Sequence, residues 1–399
     1  MERRATGALA GLYGLRMFGL FIILPVFALY AETLPGGSNH TLVGLALGSY
    51  GLTQAILQIP FGWASDRWGR KPVIVAGLVL FAAGSLIAAL AHDIAWIIVG
   101  RTVQGAGAIS AAVMALAADL TRDAVRTKAM AAIGITIGLT FGLSITAGPV
   151  LNALIGVPGI FAMTALLAIG AIWVVTSYVP GVPTRAISAT AEAPGFRAVL
   201  RDPVLLRLDF GVFALHASLM SLFVQFPLSL RAAGLPAAEH WMVYLPVMVV
   251  SFLLVAPLFS RADRRRTSSA VTAFALSCLA VALAALAWLQ PATPLALGLV
   301  LLIFFAGLNV LEAALPAAVS RHAPAELRGV AVGIFSSLQF LGAFAGAAAG
   351  GWLSQHFGRP AAYWFGLGLT LAWMALAASQ PRPLYNGETR TKETPAWPR

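Results

Sequence analysis

What most constrains this 399-residue sequence is a succession of apolar runs, each about the length needed to cross a bilayer as a helix, which takes about 20 residues. The runs are 5–31, 41–63, 73–91, 94–118, 128–154, 158–179, 204–231, 237–260, 268–289, 293–319, 328–354 and 358–379. In hydrocarbon every backbone N–H and C=O must find a partner within the protein, which leaves helices or closed barrels. Runs this long and this uniformly apolar exclude barrel strands. Composition agrees: 59% of residues are hydrophobic and 10% charged, where a soluble domain carries about 25% charged. The expected fold class is therefore an all-α integral membrane protein of twelve transmembrane helices. The first run follows Arg3 and Arg4, as a signal peptide would, but it is too long for a signal core and contains Arg16. It reads as a first, uncleaved span.

The net charge of +11 does not indicate nucleic acid, because the Lys and Arg residues sit in short loops between apolar runs rather than on one solvated face. With the N-terminus inside, most of them fall in 64–72, 119–127, 180–203, 261–267, 320–327 and the two tails, while the opposite side has only Arg231 and Arg359. The positive-inside rule then places both termini in the cytoplasm of a bacterial inner membrane protein. A single cysteine, Cys278, excludes an intrachain disulfide.

The longest polar connection, 180–203, divides the chain into an N-terminal six-helix bundle (1–179) and a C-terminal one (204–379), with a tail at 380–399. The halves echo each other. "RTKAMAAIGITIGLTFGLSITAGPVL" (126–151) aligns without gaps to "RGVAVGIFSSLQFLGAFAGAAAGGWL" (328–353), matching Arg126 to Arg328, Ala129 to Ala331, Gly148 to Gly350 and Leu151 to Leu353. A weaker echo pairs Asp66-Arg67 with Asp263-Arg264. Gly134, Gly138, Gly142 and Gly148, and then Gly342, Gly346, Gly350 and Gly351, are spaced so that helix backbones can approach closely.

Two motifs then carry a resemblance. "GWASDRWGRK" (62–71) follows the Gly-x-x-x-Asp-Arg-x-Gly-Arg-Lys pattern, and "RTVQGAGA" (101–108) the Arg-x-x-Gln-Gly-x-Gly-Ala pattern. On a twelve-span background the chain resembles the major facilitator superfamily, in its drug/proton antiporter branch. Within that branch it is most similar to the YajR-type bacterial transporters, through "LRMFGLFIILPV", "YGLTQAILQIPFG", "AAEHWMVYL" and "SSLQFLGAFAGAAAGGW". That group carries a soluble C-terminal domain, which residues 380–399 do not supply. The resemblance implies two pseudo-symmetric six-helix bundles with a binding site between them near the midplane. It also implies a conformational latch of Gly62, Asp66, Arg67, Gly69, Arg70 and Asp119, in which Asp66 caps a helix of the opposite half and Arg70 pairs with Asp119. It suggests a monomer. One departure is "AGPVLNA" (147–153), which has Asn152-Ala153 where antiporters usually show Gly-Gly.

Ionisable groups inside spans are costly to bury, by at least about 2.5–3.5 kcal/mol, and so are functional candidates. Glu312, with Asn309 three residues earlier on the same helix face, and His216, histidine being the usual proton-exchanging side chain, are the expected proton-coupling groups. Arg16 and Arg101 keep their protons and are expected to tune a neighbouring acid or attract an anion. Asp209, near the end of its span, reads as a solvated helix-end residue. Gln54, Gln58 and Gln339, with Gln104 and Gln225, either line a cavity or hold helices together.

No nucleotide loop, metal-ligand cluster or nucleophile triad appears, so an enzyme or an ATP-driven pump is not expected. The expectation is a secondary transporter with no cofactor beyond the proton gradient, exporting a lipophilic or amphipathic small molecule across the lipid bilayer by alternating access. A proton symporter or facilitator for a sugar, organic acid or lysolipid, and a non-transporting membrane sensor, are the alternatives.

Overall fold

The computed structural model describes residues 2–121, 123–180, 196–261, 268–324 and 327–379. The expected linker (180–203) lies outside them over 181–195, as do the Asp263-Arg264 echo and the tail 380–399. Among the described residues the fold is all helix. The helices are α1 (Glu2–Phe21), α2 (Leu24–Ala31), α3 (His40–Trp68), α4 (Arg70–Ala89), α5 (Ile94–Ala106), α6 (Ser110–Asp119) and α7 (Asp123–Tyr178). A short α8 (Phe196–Val199) precedes α9 (Pro203–Ala232), α10 (Trp241–Arg261), α11 (Ser268–Ala284), α12 (Pro294–His322), α13 (Arg328–Phe357) and α14 (Pro360–Ala378).

Helix starts follow local chemistry. Asn39, Asp93, Asp202 and Thr293 each accept a backbone N–H from the first turn of α3, α5, α9 and α12, and Pro203, Pro294 and Pro360 sit where the missing N–H costs nothing. Among the described residues eleven helical stretches are long and apolar enough to cross a membrane, one fewer than the sequence suggests, because no loop separates the two expected spans within 138–178. Those 41 residues would measure about 60 Å at 1.5 Å per residue, twice the thickness of the hydrocarbon. The helix breaks at Gly156, with φ 68° and ψ 171°, two residues before Pro158. The position 202 residues later is Gly358, with φ 83° and ψ 168°, two residues before Pro360. There the same break separates α13 from α14, and the offset is that of the sequence echo. The positive φ that glycine tolerates turns the chain at both places.

Two expected spans are themselves interrupted: the first between α1 and α2, and the fourth at 107–109, between α5 and α6. The halves meet mainly along α3 and α13. Gly44, Gly48 and Gly51 of α3 lie against the backbone of α13 at Ala347, Phe344 and Phe340. In lipid, where apolar side chains gain nothing by leaving the solvent, such close approach supplies the packing. Gly342, Gly346 and Gly350 pack in turn on α9 at Phe213, Ala217 and Ser221. Phe141 of the first half adds a ring contact to Phe305, 5.7 Å between centroids.

Among the described residues the polar contacts between the halves lie at one end. There Arg231 forms a two-pronged ion pair with Glu32 (2.6 and 2.8 Å), and the His40 N–H donates to Gln355 Oε1 at 2.7 Å. Toward the end that carries Asp66 the halves separate. A Cβ at Gly329 or Gly333 would meet nothing within 4 Å, and one at Gly62 only Ala111 of its own half.

Candidate functional site

Three helices of the second half bring one imidazole, one carboxyl and one amide together. His216 of α9 has its Nε2 3.0 Å from Glu312 Oε1 of α12 and 2.8 Å from Gln339 Nε2 of α13. Its Nδ1 lies 3.1 Å from the Val212 carbonyl, one turn back on α9. The His216 side chain is 7% exposed and that of Glu312 36%. A neutral imidazole that donates from Nδ1 to Val212 has a single lone pair on Nε2, which accepts one hydrogen. Gln339 fills it while Glu312 is ionised. A proton arriving on the pair gives either a Glu312 O–H or an Nε2–H between His216 and Glu312, and Gln339 must release the ring nitrogen. The cluster can therefore exchange a proton and change which helix holds His216. Asn309 is not part of it: its amide donates to Ser251 Oγ of α10 at 3.1 Å.

A second polar cluster lies within the first half. Arg16 of α1 donates to Ser110 Oγ at the start of α6 and to Gln54 Oε1 of α3, and the Gln54 amide passes a hydrogen to Gln58 Oε1 at 2.7 Å. Arg101 of α5 donates to Gln104 Oε1 at 2.5 Å and lies over the Tyr50 ring, 4.8 Å from its centroid. Both arginines are buried, and neither has a carboxylate partner among the described residues. The expected tuning of a neighbouring acid therefore has no acid to act on here. Gln104 and Gln225 are fully buried and bonded to Ser85 and Ser354, which ties helices together rather than lining a cavity.

At the Asp66 end, Arg70 pairs with Asp66 one turn earlier, reaches Asp119 Oδ2 at 3.2 Å and donates to Ser65 Oγ at 2.7 Å. Arg67 lies over the Trp63 ring, 5.5 Å from its centroid. Gly69, with φ 95°, both ends α3 and begins α4. Lys71 donates to the Val179 and Thr176 carbonyls at the C-terminus of α7, where a cation suits the helix dipole. This network lies wholly in the first half. Among the described residues Asp66 bonds to Arg70 and to no helix of the opposite half. α9 is capped by its own Asp202, and α13 begins at Leu327 without a side-chain cap. Among the described residues the halves are apart at this end, with open space beside Gly329 and Gly333. Asp209 also departs from expectation: it is 3% exposed, because α9 runs centrally, packed by α13, α14, α12 and α2.

Sequence reasoning missed two groupings. Nothing in the spacing pairs Gln339 with His216. Asp202, which caps α9, also receives His322 Nε2 at 3.2 Å from the last turn of α12. Burial raises the Asp202 pKa, but the bonds from His322 and from the Leu205 and Val204 N–H groups outweigh it and hold the carboxyl below its ordinary value.

Comparison with known proteins follows the same lines. A family profile described as the Major Facilitator Superfamily matches residues 9–347 and 247–397. The chain is 43% identical over 397 residues to the Inner membrane transport protein YajR of Escherichia coli, covering 99% of this chain and 87% of that one. It is 28% identical over 375 residues to Multidrug resistance protein MdtH of Yersinia enterocolitica, covering 88% of each. Among solved structures it is similar to the human organic anion transporter MFSD10 (TETRAN), with a TM-score of 0.66 at 20% identity over 94% of this chain and 99% of that one. Likewise it matches an auto-inhibited POT family peptide transporter, with a TM-score of 0.69 at 15% identity over 96% and 100%. At those identities the structures speak for the fold alone. Helical architecture, duplicated halves and profile agree: this chain is a membrane transporter of the Major Facilitator Superfamily.

Proposed function

We propose that the protein is a proton-coupled secondary transporter that exports a lipophilic or amphipathic small molecule across a bacterial inner membrane by alternating access, with both termini in the cytoplasm. The observation that carries the reading is the His216–Glu312–Gln339 cluster, in which one ring nitrogen lies between two partners that cannot both be satisfied at once. Its proton state selects between a bond to α12 and a bond to α13, and α13 is the helix along which the halves meet. That is a means of coupling protonation to movement. The Asp66 end carries the basic loops, so the arrangement described is open toward the cytoplasm. Relatives named for inner membrane transport and multidrug resistance support location and direction. The chain's own binding site needs no cofactor, since the gradient supplies the work.

Proteoliposomes loaded with a pH-sensitive dye test the reading. Glu312→Gln keeps the shape and hydrogen-bonding capacity of the side chain but cannot release a proton. It is expected to abolish gradient-driven transport of an amphipathic fluorescent substrate while leaving exchange without a gradient. Coupled transport equal to that of the parent would refute the assignment. Parent transport that ignores the pH gradient would instead favour a facilitator.

A further inference from the structure

Among the described residues, the first half has positive charge in its interior with no carboxylate beside it. Its acids are Glu2, Glu32, Asp66, Asp93, Asp119 and Asp123, each within three residues of a helix end. Its interior charges are Arg16 and Arg101, 2% and 0% exposed. Amide and hydroxyl oxygens partly solvate them, yet Arg16 Nε and Arg101 Nε and Nη2 have no partner. Burying an unpaired ion costs several kcal/mol, so a site with these groups is incomplete without an anion.

Arg16 is where an anion is best received. The fourth span is interrupted at 107–109, and α6 starts at Ser110 behind Ile109, which provides no side-chain cap. The first turn of a helix presents unpaired N–H groups and about half a positive charge. Arg16 is bonded to the Ser110 hydroxyl at that point. A guanidinium whose Nε–H is spare, a hydroxyl and a helix N-terminus thus converge, and Leu12, Ile109, Ala112 and Val113, close by along α1 and α6, belong to one apolar cluster. Nine residues along, α6 ends in Asp119, which holds Arg70.

We propose that Arg16, Ser110 and the N-terminus of α6 bind the anionic headgroup, a carboxylate, phosphate or sulfonate, of an amphipathic molecule. Arg101 adds field from the neighbouring turn of span four. The proposal rests on the transporter reading and names the class of its cargo. Arg16 is occluded in the arrangement described, and a rotation of α6 about 107–109 opens the site. Because α6 carries Asp119 at its other end, occupancy of the site is passed to the Arg70 network.

The experiment measures binding and so does not depend on proton coupling. The full chain, purified in a neutral detergent, is titrated with decanoate, decanol and decyltrimethylammonium while its unfolding temperature is followed. Decanoate is expected to stabilise the parent more than either equal-length control, and Arg16→Gln to weaken the decanoate response about tenfold or more, as expected for losing a charge-assisted pair. Arg16→Lys retains part of it. Equal responses to the three probes on the parent overturn the proposal whether or not Arg16→Gln folds, and so does an unchanged decanoate response in a folded Arg16→Gln. A parallel titration in nanodiscs of phosphatidylcholine with and without phosphatidylglycerol distinguishes the source. Competition by phosphatidylglycerol identifies a lipid headgroup, and its indifference identifies a free amphipath. If decanoate binds as expected but Glu312→Gln transports like the parent, the proton assignment fails and the anion site stands.

Discussion

The ion pair between Glu32 and Arg231 joins the two halves at the end where they touch, and its removal should change how often that end opens. Both guanidinium–carboxylate distances, 2.6 and 2.8 Å, are short, and the fork geometry favours the pair. The side chains are 35% and 43% exposed, so water screens most of the Coulomb energy. An exposed pair contributes about 0.2–1 kcal/mol, and good geometry puts this one near the top of that range. The contact exists only while this end is closed. Arg231→Gln should therefore shift the equilibrium toward the alternate state by up to about 1 kcal/mol, roughly a fivefold change in population. Spin labels at Ser38 and Ala238, exposed positions on either side of the pair, in a Cys278→Ala background, would report the change as a longer-distance population in double electron–electron resonance. Exchanging the charges (Glu32→Arg with Arg231→Glu) should restore the parent distribution, and added salt should weaken the effect of the pair. A distribution unchanged by Arg231→Gln, or a charge exchange that behaves like the single variant, would refute the assignment of this pair as a gate.

Three further outcomes follow from the packing and the charges. Gly346→Leu should lower the unfolding temperature, because its Cβ would overlap the Ala217 backbone of α9. Overpacking costs about 1–3 kcal/mol and backbone cannot rotate away, whereas Gly368→Leu, with nothing within 4 Å, is the matched control. The bond from His322 and the cap on α9 hold the Asp202 pKa below its ordinary value. Their contribution is complete above that ordinary value and is lost as pH falls through the folded value, in the acid range below about pH 4. Asp202→Asn should flatten this acid dependence in a thermal melt recorded against pH. Arg70→Ala or Asp66→Asn should reduce transport while leaving substrate binding largely intact, and loss of binding with turnover spared would contradict the latch.

Helix positions were legible because hydrocarbon allows so few solutions for a run of apolar residues. The Gly156 and Gly358 breaks could also have been read, from Gly-x-Pro recurring at the offset of the echo. The pairing of Arg70 with Asp119 came from the family resemblance, and the two side chains lie 3.2 Å apart. What the sequence did not contain was the rotation of each helix about its own axis. Gln339 meets His216 because α13 turns that face to α9, and the interior of a span is apolar almost all round, so no amphipathic stripe reveals the rotation. Asp209 was misjudged for a related reason: nearness to a helix end in sequence is not exposure when the helix occupies the centre of the bundle. The missing cap on α13 concerns state rather than sequence. The proposed alternating access calls for a second arrangement in which the Asp66 end is closed, and the one described is open there.

The separation of charges between the halves has a physical logic. A carboxylate set beside Arg16 would close an ion pair with it, and neither group would have anything left to exchange. Glu312 would be held ionised by a guanidinium that never gives up its proton, and Arg16 would have no free N–H for a cargo. Keeping Glu312 with His216 and Gln339 in the second half, and Arg16 with Gln54 and Ser110 in the first, leaves each able to change partner. On the proposed function, coupling between proton and cargo has to cross the interface through a helix that contacts both halves. α13 does so: Gln339 holds His216, the next residue Phe340 meets the Tyr50 ring at 6.5 Å, and Tyr50 lies under Arg101. Phe340→Ala, which leaves every charged group in place, should therefore loosen the link between proton and cargo more than it reduces binding of either. The measurement is the ratio of protons to substrate carried in proteoliposomes, and a ratio identical to that of the parent would show that the connection runs elsewhere.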